Sequence, residues 1–155
     1  MAAGVAAGGV GCASSSSDAG QDRSHSGGFT ATGPNGSAIA VPNGKPAVIY
    51  FFTAGCSQGA PAVAAAQRRV SRASYIAVDL DPGETADHAR SVLRAAGATD
   101  TGLAVSTDTS LVTTYGVSTV GTTVVIDTTG KPVYTGVEAS TDQITAAVAT
   151  TQRDA

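Results

Sequence analysis

Two residues in this chain can act as nucleophiles toward sulfur, Cys12 and Cys56, and no other cysteine accompanies them. A cysteine works as its thiolate, attacking a disulfide or a peroxide, or ligating a soft metal. A metal centre needs several ligands from different places. His25 lies in a polar leader, His88 on a predicted helix, and Met1 is the single methionine, so none of them forms a ligand set with Cys56 and neither a metal nor a cofactor is expected. Glu84 and Glu138 are the only glutamates. The strand that leads to Cys56, Ala47 to Phe52, is wholly uncharged, so no general base is assignable beneath it.

The elements that must position Cys56 alternate between strand-like and helix-like periodicity, which predicts an α/β domain. Ala38 to Val41 reads as a short extended piece stopped by Pro42-Asn43-Gly44. Ala47-Val48-Ile49-Tyr50-Phe51-Phe52 suits a strand buried on both faces, and Thr53-Ala54-Gly55-Cys56 follows it directly. Val63, Ala66, Gln67 and Val70 recur at helical spacing. Pro61 would kink a helix begun at Ser57 but suits the first turn of one begun at Ala60, in which case Cys56 stands in a loop and gains less from the helix terminus. Ser74 to Asp79 is a second buried strand, and Glu84 to Ala96 an amphipathic helix with Gly97 as its stop. Leu103 to Val105 is a brief strand, Asp108 to Tyr115 a short helix, and Thr122 to Asp127 a strand. Thr128-Thr129-Gly130-Lys131 turns the chain into a hairpin partner, Pro132 to Val137. Ser140-Thr141-Asp142-Gln143 resembles a capping box that opens a last helix to about Thr150.

The first 37 residues read as a disordered leader, residues 38–150 as the domain and 151–155 as a tail. Met1 to Gly11 is a small apolar run ending at Cys12, with a Ser-rich stretch after it, which resembles the end of a bacterial lipoprotein signal with Cys12 as the lipidated residue. No Lys or Arg precedes Cys12 and Gly9 stands where a Leu is usual, as though the true start lay upstream. The alternative is a leader in which Cys12 has no role. If Cys12 carries a lipid, Cys56 is the lone thiol of the folded part; a Cys12 to Cys56 bond, which would tie the leader to the domain, is not expected.

Two blocks, Gly44-Lys45-Pro46-Ala47-Val48-Ile49-Tyr50-Phe51-Phe52-Thr53-Ala54-Gly55-Cys56 and Tyr115-Gly116-Val117-Ser118-Thr119-Val120-Gly121-Thr122-Thr123-Val124-Val125-Ile126-Asp127, followed by Gly130-Lys131-Pro132-Val133, resemble the TlpA-like branch of the thioredoxin-fold (redoxin) family over residues 38–150. The resemblance implies a three-layer sandwich, a mixed central sheet flanked by helices. It also implies that Cys56 is the attacking cysteine of a W-C-x-x-C motif, here Gly55-Cys56-Ser57-Gln58-Gly59, flanked by Thr53. Gly55 replaces the Trp, Gly59 the resolving cysteine, and Gly121 the family's cis-proline, in a loop of Val120, Gly121 and Thr122 where substrate would dock. Without a thiol at residue 59, release of a mixed disulfide from within is impossible, which leaves monothiol exchange with an external thiol. A cis bond at Val120–Gly121 would cost about 3 kcal/mol, so a trans bond and a differently shaped loop are expected.

Of 155 residues, 14% are charged and the formal net charge is −3, with no long apolar run, which excludes a bilayer-spanning helix and a nucleic-acid binder. The one basic cluster, Arg68, Arg69 and Arg72, fits a solvated helix face better than a binding patch. The expected protein is a monomeric, lipid-anchored or secreted envelope protein whose Cys56 exchanges disulfides with envelope proteins or a low-molecular-weight thiol. The competing readings are a redox-inactive binding scaffold, with Cys56 a small partly buried residue, and a one-cysteine peroxidase with Arg94 beside the thiolate.

Overall fold

The computed structural model describes residues 28–105 and 110–153. Its elements run β1 (Phe29–Thr32), β2 (Ala38–Val41), β3 (Ala47–Phe52), α1 (Ala60–Arg69), β4 (Ser74–Asp79), α2 (Ala86–Ala95), β5 (Gly102–Val105), α3 (Ser110–Thr114), β6 (Thr122–Ile126), β7 (Pro132–Val137) and α4 (Thr141–Arg153). Five strands form one mixed sheet in the order β5-β4-β3-β6-β7. Strand β3 is parallel to β4 and antiparallel to β6, with Phe52 opposite Asp79 and Ala47 opposite Ile126.

Central placement explains why β3 carries no polar side chain but a tyrosine. Every one of its residues is buried, and its alternating side chains feed two cores. Val48, Tyr50 and Phe52 pack with Val63 of α1, Leu93 of α2 and Ile144 of α4. Ile49 and Phe51 face the other way, onto Val41, Leu111 and Tyr115. Burying each large apolar side chain contributes about 1.5–3 kcal/mol, so the residues just before the Cys56 loop lie in the best-anchored part of the sheet.

The ends of the elements are set by local chemistry. Helix α1 starts at Ala60 with Pro61 in its first turn, the later of the two possible starts. The capping box forms in full: the Ser140 N–H donates to Gln143 Oε1 at 2.9 Å and the Gln143 N–H to Ser140 Oγ at 3.2 Å. At the β6–β7 turn, Asp127 Oδ1 accepts from the Thr129 and Lys131 amides, and Gly130 takes φ +88°.

Two boundaries differ from the sequence-based expectation. Among the described residues, strand structure is present from Phe29, ahead of the expected Ala38, because Phe29–Thr32 pairs antiparallel with Ala38–Val41, Thr32 facing Ala38. Ala31 and Val41 of that hairpin are buried against the sheet. Helix α4 continues to Arg153, past the expected stop near Thr150, with Thr151 buried and its hydroxyl donating to the Val148 carbonyl. The expected start of the short helix at Asp108 lies outside the described residues, as do Cys12 and His25.

Candidate functional site

Strand β3 delivers the chain to a tight turn. The Cys56 N–H donates to the Thr53 carbonyl at 3.0 Å, and the Thr53 N–H reaches back to the Cys56 carbonyl at 3.4 Å. Gly55 at the turn's tip is exposed, and a Cβ there would meet nothing within 4 Å. Cys56 is half-buried and disulfide-bonded. The expectation of a lone thiol at Cys56, with no disulfide in the folded part, is therefore corrected. No cysteine among the described residues is free; the sequence's other cysteine, Cys12, is outside them. Nothing in the local sequence signals this bond, because a disulfide follows from spatial approach rather than spacing along the chain.

Position 59, three residues on, is closed to a side chain. Gly59 is buried, and a Cβ on it would stand 2.9 Å from Tyr50 Cε2 and 3.2 Å from the Tyr50 hydroxyl. The tyrosine ring fills that space and is itself fixed, lying 5.8 Å from the Phe52 ring at an interplanar angle of 10°. The Gly59 N–H donates to the Tyr50 hydroxyl at 3.1 Å, and the Ala60 N–H to the Ser57 carbonyl at 3.0 Å. The first amides of α1, which in this position would stabilise a thiolate at Cys56, are thus committed elsewhere. Burial pushes the Tyr50 phenol up to about 12, the Gly59 and Ala60 amides oppose that rise, and the Glu138 carboxylate adds to it.

The third part of the site is the start of β6. Gly121 sits at φ +90°, a conformation side-chain-bearing residues avoid, and the Val120–Gly121 bond is not cis; Val41–Pro42 is the one cis bond among the described residues. The Gly121 N–H donates to the Phe51 carbonyl at 2.8 Å and its own carbonyl accepts from the Glu138 N–H at 3.0 Å. Thr122 is buried, laddered opposite Val137, with its hydroxyl donating to the Thr119 carbonyl at 2.6 Å. Of the three residues expected to dock substrate, Val120 alone, half-buried in the turn, has a backbone that no hydrogen bond among the described residues uses.

No protein-family model matches the chain. A curated relative, the mercury resistance operon ORF3 product of Streptomyces lividans, is 29% identical over 113 residues, covering 68% of this chain. The match spans 60% of that relative's length. Solved structures match more widely. A thioredoxin-like protein from Aeropyrum pernix is 21% identical at TM-score 0.67, over 79% of this chain and 89% of that one. A secreted Mycobacterium tuberculosis disulfide oxidoreductase homologous to E. coli DsbE is 19% identical at TM-score 0.63, over 79% and 95%. The exposed lipoprotein thioredoxin of Streptococcus pneumoniae is 19% identical at TM-score 0.60, over 79% and 98%. The fold is that of thioredoxin.

Within this thioredoxin fold, the end of the sheet that carries Cys56 also carries carboxylates that sequence reasoning did not assign to the site. Asp79 ends β4 opposite Phe52 and is buried. Burial raises its carboxyl above the ordinary 3.8, and the negative charges of Glu84 and Asp81 push the same way against the opposing Asp81 amide. Glu84 Oε1 lies 2.8 Å from His88 Nδ1, so His88 is a helix-surface partner for a carboxylate. Arg94, the arginine a peroxidase would need beside its thiolate, is exposed in the last turn of α2. That helix leaves the Cys56 end of the sheet at Thr85, so Arg94 stands about 13 Å along it, at 1.5 Å per residue, and is not brought to Cys56.

Proposed function

We propose that this protein carries out thiol-disulfide exchange through Cys56, outside the cytoplasm. The observation that supports it most directly is that Cys56, in the loop straight after the central strand of a thioredoxin fold, is held in a disulfide. An incoming thiolate attacks that bond, forms a mixed disulfide and expels the other sulfur with the electron pair of the broken bond. Residue 59 offers no thiol, so no attack from α1 releases the mixed disulfide; a second thiol from elsewhere must do so. Thiols of envelope proteins or a small thiol fit as partners, and a monomer suffices, because Cys56 needs no second copy of the chain.

A lipid on Cys12 would use the same sulfur as a disulfide through Cys12, so any anchored pool and any such oxidised pool are chemically exclusive. No described helix is long and apolar enough to cross a membrane.

The test uses the oxidised full-length chain and a reduced, unfolded substrate protein. Transfer of the disulfide is expected from the wild type and lost in Cys56→Ser. Transfer that survives the substitution sinks the proposal. The Tyr50 ring at position 59 favours a second reading, a redox-inactive binding scaffold, and this predicts that partners captured from membranes stay bound to Cys56→Ser.

A further inference from the structure

Glu138 is a surface residue in an unusual setting. It follows β7 with φ +49°, and it is the only described residue other than glycine with positive φ. Such a backbone is uncommon for a side-chain-bearing residue and persists only where its surroundings impose it. Those surroundings are the site. The Glu138 N–H bonds the Gly121 carbonyl, and the Gly121 N–H bonds the Phe51 carbonyl, two stitches that tie Glu138 to the end of β3. The side chain folds the same way: Glu138 Cγ stands 3.7 Å from where a Cβ on Gly121 would be. Its charge is felt by the Tyr50 phenol, which holds the Gly59 amide. The ion pairs among the described residues are Arg69 with Asp142 and His88 with Glu84, so no cation neutralises Glu138 there. On the opposite flank of the Cys56 loop stand Asp79, Asp81 and Glu84, also acids.

We infer that Glu138 determines which thiols exchange with Cys56, favouring a thiol that carries positive charge close to its sulfur. The inference rests on the exchange reading above. The reaction is an attack by the incoming thiolate on the Cys56 sulfur; a new S–S bond forms, the old one breaks, and the displaced sulfur leaves as a thiolate that takes up a proton. The incoming thiol is oxidised and the protein disulfide reduced. An uncompensated carboxylate beside the path repels an anionic thiol and attracts a cationic one, in water and at low salt above all.

The experiment follows reduction of the Cys56 disulfide in the oxidised full-length protein by cysteamine and by 2-mercaptoethanesulfonate. Each rate is divided by that of the same reagent on a small uncharged disulfide, which removes differences in intrinsic reactivity. The cationic-to-anionic ratio is expected to fall roughly three- to ten-fold from wild type to Glu138→Gln at low ionic strength, and the difference to collapse in molar salt. Glu138→Lys, checked for wild-type melting, is expected to lower the ratio further. Equal ratios in all three proteins, with reduction proceeding, overturn the role of Glu138 and leave exchange standing. If no thiol reduces Cys56 in the native protein, the exchange reading falls and this inference with it.

Discussion

The hydroxyl of Tyr50 accepts a hydrogen bond from the Gly59 amide at 3.1 Å, and its ring occupies the space a side chain at residue 59 would need. The two residues form one device: the glycine makes room for the phenol, and the phenol satisfies the first buried amide of α1. A second thiol beside Cys56 and the Tyr50 ring are therefore alternatives, and this chain has the ring.

Gly59→Ala is expected to destabilise the protein by about 1–3 kcal/mol, because the new methyl meets a ring that is buried and stacked and has nowhere to move. In a Tyr50→Leu background the same substitution should lose much of its effect. Denaturant midpoints across the double-mutant cycle measure the coupling; strict additivity would show that the two side chains do not compete for one space.

Tyr50→Phe keeps the ring and removes the acceptor. The Gly59 amide is then free of the phenol, and if it turns to a sulfur anion at Cys56, alkylation of the reduced protein at neutral pH should accelerate roughly three- to ten-fold, the effect of one modest hydrogen bond on the thiolate fraction. Iodoacetamide rates for the two proteins after reduction decide it, and identical rates would refute the arrangement.

The loop before β6 is built for glycine. Gly121→Ala must hold a Cβ at φ +90° and should cost about 1–2 kcal/mol. Gly121→Pro should be worse by a further margin, since proline fixes φ near −65° and deletes the N–H that bonds Phe51. Thermal denaturation of both variants ranks them, and a proline variant as stable as the wild type would contradict the loop geometry.

Stability should respond to Asp79 with a defined sign. Its folded carboxyl is held above the ordinary 3.8, so in that window the folded protein binds a proton more tightly than the unfolded chain. Stability from this group is therefore greatest in acid and is lost as pH rises from 3.8 through the raised folded value. Asp79→Asn, which can still accept from the Asp81 amide, should be more stable than wild type at neutral pH, with the difference vanishing at low pH. Unfolding across that range tests it; a variant less stable at neutral pH would mean that the charge is wanted there.

Much of the architecture was legible because its signals are local. The unbroken apolar run from Ala47 to Phe52 is what a strand buried on both faces requires, Pro61 permits a helix from Ala60, and Ser140 with Gln143 is a cap readable from four residues. The missed strand, Phe29 to Thr32, has only two apolar residues and depends on pairing with Ala38 to Val41 for its stability, so its own sequence carries little periodicity. Of the candidate site, the sequence points to Cys56 and not to the residues around it. Tyr50 looked like one more core aromatic, and Glu138 lies 82 positions from Cys56 in the chain numbering; only the β3–β6–β7 pairing brings its backbone to Gly121. The disulfide at Cys56 has no signature in the neighbouring residues.

The double commitment of Gly121 bears on how a polypeptide would be gripped. With its N–H given to Phe51 and its carbonyl to Glu138, Gly121 offers a partner no main-chain group, and of the three residues expected to dock substrate only Val120 does. A strand that pairs over several residues is told which way to run; contact over one residue conveys almost no such instruction. A bound segment should accordingly be accepted in either chain direction, so that a cysteine peptide and its reversed sequence exchange at similar rates.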